Sequence, residues 1–561
     1  MDTNIRVAGE AGQGVQTTGM LLVHALASLG LHVISGQVYM SRIRGGLNWY
    51  DVRIADYPLY SLREKADILV ALAPEAVDEL GDEVAENGRI LFDGKDGGDR
   101  VLAMPFTETA KEVAGSAIMA NAVAAGAAFA LLDYPVDKLC EFLARHFEKK
   151  GDEVVSKNIE CAKRGAQLAS DHAGHVEAPT HNGIQYDVLV GGDVIAMSAA
   201  RSGVKFVAAY PMTPSTPVFT ALASLADRYG ILVEQAEDEI MAVNMICGAV
   251  YAGVPAITTT SGGGFALMTE GVSLAGMLEL PIVISLGQRP GPATGLPTRT
   301  GQEDLRLAIH AGHGEFAKAV FAPGTITQAY HLTRRALQTA HKYQTPTILM
   351  TDQYLVDQER NAPALDDRYD PVDRHILADP PDDYLRYAVT ESGVSPRALP
   401  GSNAFVIVDS DEHTEDGHIT ENLRKRVELQ DKRMRKLQGM IGEFLPPEFY
   451  GPKNPEQLLI CWGSTYGPVR EAVDRLQEAG RNVALLHFPQ VWPINVEAVR
   501  AAAANAGFDL SNSDQIVCVE GNCTAQFASL LRELNLIGPC RTMLRYDGLH
   551  FTGDQIARRV G

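Results

Sequence analysis

The sequence lacks the features that direct a chain into or across a membrane. Its start, MDTNIRVAGEAGQGV, has no basic stretch followed by an apolar core, so no secretory signal is predicted. The longest nearly uncharged run, 117–132, is shorter than the roughly 20 residues that a spanning helix requires. We therefore expect a cytoplasmic protein that does not bind a membrane.

Basic residues and cysteines are also scarce. The 70 Asp and Glu residues outnumber the 49 Lys and Arg residues and give a formal charge of −21, which repels phosphate backbones, so no nucleic-acid partner is expected. The seven cysteines are an odd number in a long chain, and even the closest pair, Cys518 and Cys523, has no neighbours at iron–sulfur spacing. This pattern predicts reduced thiols and no cluster bound by this chain.

The sequence does contain enough apolar residues to form several hydrophobic cores. The chain has 561 residues, of which 46% are hydrophobic, and strand and helix patterns alternate along it. This predicts an α/β fold with three parallel-sheet domains. We expect a first domain over 1–170, a linker over 171–185 and a second domain over 186–362. An irregular and helical connection over 363–455 leads to a third domain over 456–561.

The first domain opens on a strand, a glycine turn and a helix. In GEAGQGV the glycines Gly9, Gly12 and Gly14 follow the order G-x-x-G-x-G, whereas dinucleotide sites use G-x-G-x-x-G. The second strand ends in Ser35 and Gly36 without an acidic residue, so NAD and FAD are not expected. A phosphate or carboxylate on the backbone amides of the helix start and a tight turn without a ligand are equal alternatives.

A stiff proline-rich segment ends a strand in the second domain. The motif YPMTPSTP, at 210–217, contains three prolines, which restrain the backbone before a helix. Thr213 and Ser215 would present hydroxyls at the carboxyl end of a parallel strand, where open α/β sheets bind ligands. Ser215 or Thr216 would equally serve as a helix cap, and the two roles are compatible.

Two further strand-to-helix junctions carry acids and glycines. EQAEDE places Glu237, Asp238 and Glu239 at a helix start, where the helix dipole alone favours carboxylates by roughly 0.3–1 kcal/mol. TTTSGGGF places glycines at 262–264, which permits close approach to a ligand or a facing subunit, or serves only as a flexible connection. Neither motif identifies a function alone.

A Pro/Gly-rich loop, SLGQRPGPATGLPTRTGQEDL, carries Arg289, Thr298 and Arg299 after the next strand. Guanidinium groups beside hydroxyls suit a planar carboxylate. By contrast, His413 and His418 in DEHTEDGHITE have acidic neighbours but no helical period, so we interpret this segment as a polar loop and assign no metal ligands.

Taken in order, YPMTPSTP, EQAEDE, TSGGGF and GQRPGPATGLPT resemble the α subunit of 2-oxoacid:ferredoxin oxidoreductases. GQGV and SRIRGGLN, at 41–48, resemble the γ domain of the same family, and the segment from Gln457 resembles its transketolase-C-terminal-like domain. The resemblance spans nearly the whole chain. It implies a γ-type domain, a pyrimidine-binding-type thiamine diphosphate domain and a transketolase-C-terminal-like domain, in that order.

Enzymes of this family oxidatively decarboxylate a 2-oxoacid with thiamine diphosphate held between subunits, form an acyl-CoA from CoA, and pass electrons through an iron–sulfur cluster to ferredoxin. By motif position, Glu239 would bond the aminopyrimidine ring and favour the imino tautomer that removes the thiazolium C2 proton, with Glu237 as second choice. Thr213 would hydrogen-bond the substrate or intermediate. Arg289 would pair with the substrate carboxylate, assisted by Thr298.

The resemblance also implies residues that line the two cofactor sites. Those expected to contact thiamine diphosphate are Tyr210, Pro211, Ser215, Glu237, Gly262 and Gly263. Those expected to hold an anionic group of CoA in the γ-type domain are Gly12, Gly14, Arg42 and Arg44.

No G-D-G stretch with a following Asn pair, the diphosphate and Mg²⁺ motif of thiamine enzymes, occurs in the sequence. We therefore expect a β subunit that supplies Mg²⁺ and a [4Fe–4S] cluster within an (αβ)₂ complex. 2-Oxoglutarate is the favoured substrate because Arg299 would meet its distal carboxylate, although a surface arginine is an equal explanation. Pyruvate or branched 2-oxoacids, a non-catalytic scaffold, and a thiamine enzyme without ferredoxin are the alternatives.

Overall fold

A computed structural model describes residues 1–41, 46–183, 187–366 and 368–561. Contacts divide the chain into two compact units. The first unit comprises Met1–Val190, Asp357–Ala364 and Thr552–Gly561, and the second comprises Gly191–Val356 and Leu365–Phe551. One sheet organises the first unit and two organise the second, and the predicted α/β class is confirmed.

Strands and helices alternate along most of the chain. The strands are β1 (Asp2–Glu10), β2 (His32–Val38), β3 (Leu47–Ala55), β4 (Ala66–Ala71), β5 (Val84–Phe92), β6 (Val101–Ala103), β7 (Asp187–Val190), β8 (Phe206–Ala209), β9 (Leu232–Gln235), β10 (Ala256–Ser261), β11 (Val283–Gln288), β12 (Ala319–Phe321), β13 (Thr347–Asp352), β14 (Glu359–Ala362), β15 (Glu448–Tyr450), β16 (Gln457–Trp462), β17 (Val483–Phe488), β18 (Gln490–Trp492), β19 (Ile516–Glu520) and β20 (Arg541–Leu544). The α-helices are α1 (Val15–Ser28), α2 (Pro74–Leu80), α3 (Phe106–Ala114), α4 (Ala120–Leu131), α5 (Val136–Phe147), α6 (Asp152–Leu168), α7 (Gly191–Arg201), α8 (Thr216–Ser224), α9 (Ala226–Tyr229), α10 (Glu239–Tyr251), α11 (Gly262–Leu267), α12 (Thr269–Met277), α13 (Leu305–His310), α14 (Ile326–Tyr343), α15 (Gln353–Asp357), α16 (Leu423–Gly442), α17 (Tyr466–Glu478), α18 (Val496–Asn505), α19 (Gln526–Glu533) and α20 (Gly553–Val560). None of the helices in the described ranges combines the length and the apolar character needed to cross a bilayer.

The first sheet is mixed, with the order β6-β5-β4-β1-β3-β2-β14-β7. β1 runs parallel to β4 but antiparallel to β3, which in turn pairs antiparallel with β2. The sequence pattern did not reveal β3, because its buried positions include charges. Asp51 is buried against Arg6, with 2.8 Å between a carboxylate oxygen and Nε, and Arg53 is buried against Asp2. Paired charges of this kind mask the apolar alternation that marks a strand.

The second sheet has the order β18-β12-β13-β11-β10-β8-β9. Its central strands, β10, β11 and β13, are buried along their whole length, as parallel strands covered on both faces are. The parallel register aligns Ser261 with Gly287 and Gln288 with Asp352. The motif-bearing junctions that follow these strands therefore lie along one edge of the sheet.

The third sheet, β15-β17-β16-β19-β20, shares a hydrophobic core with the second sheet. Ile284 of β11, Trp462 of β16 and Phe527 of α19 belong to the same buried cluster. In addition, β18 follows β17 of the third sheet in sequence but pairs antiparallel with β12 of the second sheet. The two sheets are therefore parts of one packed unit.

Candidate active site

The segment after β8 folds into a tight turn that is held by its own backbone. Both the amide and the hydroxyl of Ser215 donate to the carbonyl oxygen of Met212, at 2.9 and 2.7 Å. Ser215 precedes α8 but its side chain does not cap that helix, and it is buried. Pro211 and Thr213 are half-buried, whereas Tyr210 is 40% exposed. The turn therefore presents Tyr210 and Thr213 outward.

Arg289 joins this turn from the next motif. It follows β11, and its Nη1 donates to the carbonyl oxygen of Thr213 over 2.6 Å. The side chain is 9% exposed, and its Nε has no hydrogen-bond partner among the described residues. Burial lowers the pKa of Arg289, while Asp304 and Glu239 raise it by charge interaction. The guanidinium thus retains donor capacity beside two carboxyl groups.

The three acids of EQAEDE have different surroundings. Asp238 caps α10 by accepting a hydrogen bond from the amide of Met241 over 2.7 Å. Glu237 and Asp238 are exposed, whereas Glu239, the first residue of the helix, is 2% exposed. Oε1 of Glu239 has no hydrogen-bond partner within the described part of the chain. A buried acceptor without a donor is costly, which points to a donor from a bound molecule.

The glycine turn at the start of α11 makes room for two carboxyl groups. A Cβ atom on Gly264 would lie 2.5 Å from Oε1 of Glu239, and one on Gly262 would lie 2.3 Å from a carboxyl oxygen of Asp304. Gly263 differs, because the nearest atom to its Cβ would be the carbonyl oxygen of Ala293 at 3.7 Å. Gly263 is exposed, so its backbone is open to a ligand.

The loop that carries Thr298 is held by the third sheet. Gln302 exchanges two hydrogen bonds with Gly521, at 2.7 and 2.8 Å, and its Nε2 donates to the carbonyl oxygen of Trp462 over 2.8 Å. Thr300 accepts a hydrogen bond from the amide of Tyr354 over 3.3 Å. Thr298 is buried within this loop. The carboxyl ends of β16 and β19 therefore hold the loop in place.

Two carboxyl groups near the site were not identified from the sequence. Burial and the nearby Glu303 raise the pKa of Asp304 to about 7, against the charge of Arg289. Burial also raises the pKa of Asp352 to about 6, although Ser464 donates to it. Asp352 ends β13 beside Gln288. The available signal was weak, since one acid precedes a short helix and the other ends a strand.

The glycine turn of the first unit has the geometry that its sequence requires. Gly12 and Gly14 have φ values of 94° and 81°, a region that favours glycine. A Cβ on Gly14 would lie 2.2 Å from the side chain of Asn121. A Cβ on Gly12 would have no described atom within 4 Å. The other two residues expected here, Arg42 and Arg44, lie outside the described residues.

The histidine segment is a loop with two differently placed rings. His413 is buried, and its ring centroid lies 3.9 Å from that of Tyr387. His418 is exposed and its Nδ1 lies 3.0 Å from the carboxylate of Asp416. The two imidazoles thus have separate structural surroundings.

Comparison with known proteins assigns the family. The profile described as "Pyruvate flavodoxin/ferredoxin oxidoreductase, thiamine diP-bdg" matches residues 197–432, and the one described as "Pyruvate ferredoxin/flavodoxin oxidoreductase" matches residues 4–168. The 2-oxoacid:ferredoxin oxidoreductase subunit alpha of Sulfolobus sp is 30% identical, over 98% of this chain and 95% of the relative. The chain belongs to the 2-oxoacid:ferredoxin oxidoreductases, as an alpha subunit.

Other relatives of this alpha subunit carry more specific names. The 2-oxoglutarate oxidoreductase subunit KorA of Mycobacterium tuberculosis is 27% identical, over 99% of this chain and 90% of the relative. A solved structure of 2-oxoglutarate:ferredoxin oxidoreductase from Magnetococcus marinus, with 2-oxoglutarate, coenzyme A and succinyl-CoA bound, has a TM-score of 0.91 and 31% identity. That match covers 100% of this chain and 99% of the other. The fold of the alpha subunit is therefore that of an oxidoreductase whose family contains a thiamine diphosphate-binding domain.

The site fits the thiamine diphosphate that the family implies. The aminopyrimidine ring needs an acceptor shielded from water, and Oε1 of Glu239 is a buried acceptor without a partner among the described residues. The open backbone at Gly263 offers a nearby surface of low steric demand. The residues present are therefore compatible with the pyrimidine end of this cofactor.

Proposed function

We propose that this alpha subunit supplies the cofactor-activating carboxylate and the substrate arginine of a complex that oxidatively decarboxylates 2-oxoglutarate. The products would be succinyl-CoA, CO₂ and two electrons carried away by ferredoxin. Glu239, Arg289, Thr213 and Thr298 are the residues that would act directly. The complex would work in the cytoplasm.

The observation that carries the proposal is the burial of Glu239 with one free carboxylate oxygen. When bound, thiamine diphosphate supplies the carbon centre that adds to the oxo carbon and takes up the electrons left when CO₂ departs. Glu239 would hold a proton at a nitrogen of the aminopyrimidine ring, a role that needs a shielded carboxylate. Glu237 is exposed and would at most line the cofactor site.

Arg289 is suited to the substrate carboxylate because its position is already set. One N–H group is used by the carbonyl oxygen of Thr213, and the Nε–H group has no partner among the described residues. A guanidinium has five N–H donors in a planar fork that matches a carboxylate. Thr213 would thereby both orient the arginine and offer its hydroxyl to the substrate, while Thr298 would support the same group.

A β subunit would cover this site and bring Mg²⁺ and a [4Fe–4S] cluster. Support comes from large apolar side chains that stay exposed on the junctions around the site, namely Tyr210, Ile240, Met241, Leu267 and Leu296, with exposures of 40–51%. Apolar side chains clustered at a site are typical of a surface that a partner covers. Tyr210, Pro211, Gly262 and Gly263 would then contact the cofactor in an (αβ)₂ assembly.

The assignment of 2-oxoglutarate draws on the chemistry of one further arginine. Arg299 lies in the same loop as Thr298, and burial lowers its pKa. A second, partly desolvated guanidinium suits a substrate with two carboxylates better than pyruvate or a branched 2-oxoacid. The names of the KorA relative and the Magnetococcus structure support the same choice.

CoA would enter as co-substrate, with an anionic group at the glycine turn of the first unit. The backbone at Gly12 is open. The residue before α1 is Gly14, which has no side chain to cap the first amides of the helix. Helix starts of this kind favour phosphate groups. Arg42 and Arg44 would also bind the anionic group of CoA.

Turnover of the reconstituted complex tests the proposal. Wild type should reduce ferredoxin fastest with 2-oxoglutarate, compared with pyruvate and branched 2-oxoacids. Glu239→Gln should lower kcat by about 100-fold or more, since a lost acid–base group costs roughly 10²–10⁴. Glu237→Gln is the matched control and should retain most of the activity.

The outcomes separate the alternatives. A Glu239→Gln complex that assembles and turns over normally would show that the subunit is a scaffold. A preference for pyruvate would overturn only the assignment of 2-oxoglutarate as substrate. Turnover without ferredoxin would favour a thiamine enzyme that does not use ferredoxin.

A further inference from the structure

Asp304 is a carboxyl group whose surroundings are unlike those of a structural acid. It lies directly before α13, and its amide donates to Oε1 of Gln288 over 3.2 Å. Its carboxyl group lies against the backbone of Gly262, where a Cβ would be 2.3 and 2.5 Å from the two oxygens. Oδ2 is buried and has no hydrogen-bond partner among the described residues. This oxygen of the half-buried side chain is therefore enclosed but has no donor in the described part of the chain.

A structural acid elsewhere in the same unit shows the contrast. Glu520 ends β19 and is buried, and its carboxylate accepts hydrogen bonds from the amides of Phe527 and Ala528, each at 2.9 Å, and from Asn522 at 2.9 Å. That carboxylate stabilises the start of α19. Within the described ranges Asp304 has no comparable set of donors, so stabilising the fold does not explain it.

The charged groups that face Asp304 come from both sides of the site. Arg289, after β11, interacts with it electrostatically. Glu303, on its own loop, adds a like charge and accepts a hydrogen bond from the amide of Gly291 over 2.9 Å. Glu239, at the start of α10, acts on the same arginine. Arg289 therefore shares its charge with two carboxyl groups before any substrate arrives.

We propose that Asp304 is a positioning residue for Arg289, whose carboxyl group sets how much guanidinium charge is available to the carboxylate of the 2-oxoacid. This inference rests on the proposed function. When Asp304 is protonated, Arg289 keeps its full attraction for the substrate. When Asp304 is ionised, it competes with the substrate carboxylate and weakens substrate binding.

The two forms interchange in the physiological range. Burial and Glu303 raise the pKa of Asp304 to about 7, so the protonated form dominates below that pH and the ionised form above it. Binding of an anion beside Asp304 must in turn favour its protonated form, because the coupling is reciprocal. The affinity for the 2-oxoacid should therefore fall as pH rises through neutrality.

The test compares substrate binding by three reconstituted complexes between pH 6 and pH 8. For wild type, KM for 2-oxoglutarate should rise by roughly fivefold across this range, the effect of a coupling equal to one pKa unit. Asp304→Asn, which cannot ionise, should keep a low KM across the range, with kcat changed much less than KM. Glu303→Gln should retain the rise but shift it to lower pH, because a like charge has been removed.

A second readout does not depend on turnover. Calorimetric titration of 2-oxoglutarate into the complexes without thiamine diphosphate should show the same pH dependence of Kd, present in wild type and absent in Asp304→Asn. If Asp304→Asn fails to fold, the wild-type profile and the Glu303→Gln shift still decide. A KM and Kd that stay constant from pH 6 to pH 8 in wild type, or change equally in all three complexes, would overturn the inference. Absence of turnover with any 2-oxoacid would instead overturn the proposed function.

Discussion

At the scale of single residues, placement separates side chains that are chemically alike. Glu237, Asp238 and Glu239 are consecutive acids, yet the first is exposed, the second caps α10, and the third is buried with an oxygen left over. Only the third has the shielding that activation of a cofactor needs. Under the proposed function, chemistry at this site would therefore depend on how one carboxylate is enclosed.

Gly264 should be required for that enclosure. In Gly264→Ala the new methyl group would lie 2.2 Å from Oγ1 of Thr260 and 2.5 Å from Oε1 of Glu239. Relief of this overlap must move the carboxylate, with a cost of about 1–3 kcal/mol in the free energy of unfolding. We expect a lower thermal midpoint and a large loss of kcat in the complex.

Gly263→Ala is the matched control, because its methyl group would have no neighbour closer than 3.7 Å and the residue is exposed. It should leave the thermal midpoint close to that of wild type. Equal kcat and equal midpoints for Gly264→Ala and wild type would show that the carboxylate does not need this space.

Some of these residues could be predicted from the sequence, and others could not. Glu239, Arg289 and Thr213 were selected because they lie in motifs, and the structure brings Arg289 into contact with Thr213. Asp304 and Asp352 escaped notice because burial by distant segments gives them their character. Nothing within a few residues of either acid shows that burial.

At the scale of elements, the site is built from junctions, each of which follows a strand of the second sheet. Parallel pairing places these junctions at one edge, which could be predicted from alternating strands and helices. The missed element, β3, shows the limit of such patterns, since Asp51 and Arg53 are buried only because each has a partner on another segment.

Helix α16 contributes a buried ion cluster that should hold the connection over 363–455 in place. Lys432 and Lys436 of α16 lie 2.6 and 2.5 Å from the carboxylate of Glu279, and all three are buried. Glu279→Gln would leave two buried ammonium groups without their counter-charge. We expect a loss of about 3–5 kcal/mol in the free energy of unfolding.

The same cluster predicts a pH dependence. Burial opposes ionisation of Glu279, but Lys436 and Lys432 outweigh it and hold the pKa of this carboxyl well below its ordinary value of 4.5. Its contribution to stability is therefore present above pH 4.5 and is lost as the pH falls toward the folded-state pKa. Denaturant unfolding of wild type and Glu279→Gln at neutral and acidic pH should show a difference that shrinks on acidification.

Glu153→Gln serves as the control for this prediction, because Glu153 forms an exposed pair with Lys157 on α6. Exposed pairs of this kind contribute little to stability, because solvent screens their charges. A loss for Glu279→Gln no greater than that of the control would mean that the buried cluster is not stabilising.

At the scale of the whole molecule, the alpha subunit combines a γ-type region and a cofactor-binding region in one chain. The fold class and the order of regions could be predicted from motifs, whereas the grouping of contacts could not. Residues Asp357–Ala364 and Thr552–Gly561 belong to the first unit although they are far from it in sequence. The domain boundaries drawn along the chain remain a prediction.

The proposed role of Glu239 is to activate thiamine diphosphate that is held together with a partner subunit. The most direct measurement is the rate at which the C2 proton of the bound cofactor exchanges with D₂O, followed by acid quench and NMR in the reconstituted complex. We expect fast exchange in wild type and in Glu237→Gln, and exchange slowed by about 100-fold or more in Glu239→Gln. Fast exchange in an assembled, cofactor-bound Glu239→Gln complex would contradict it.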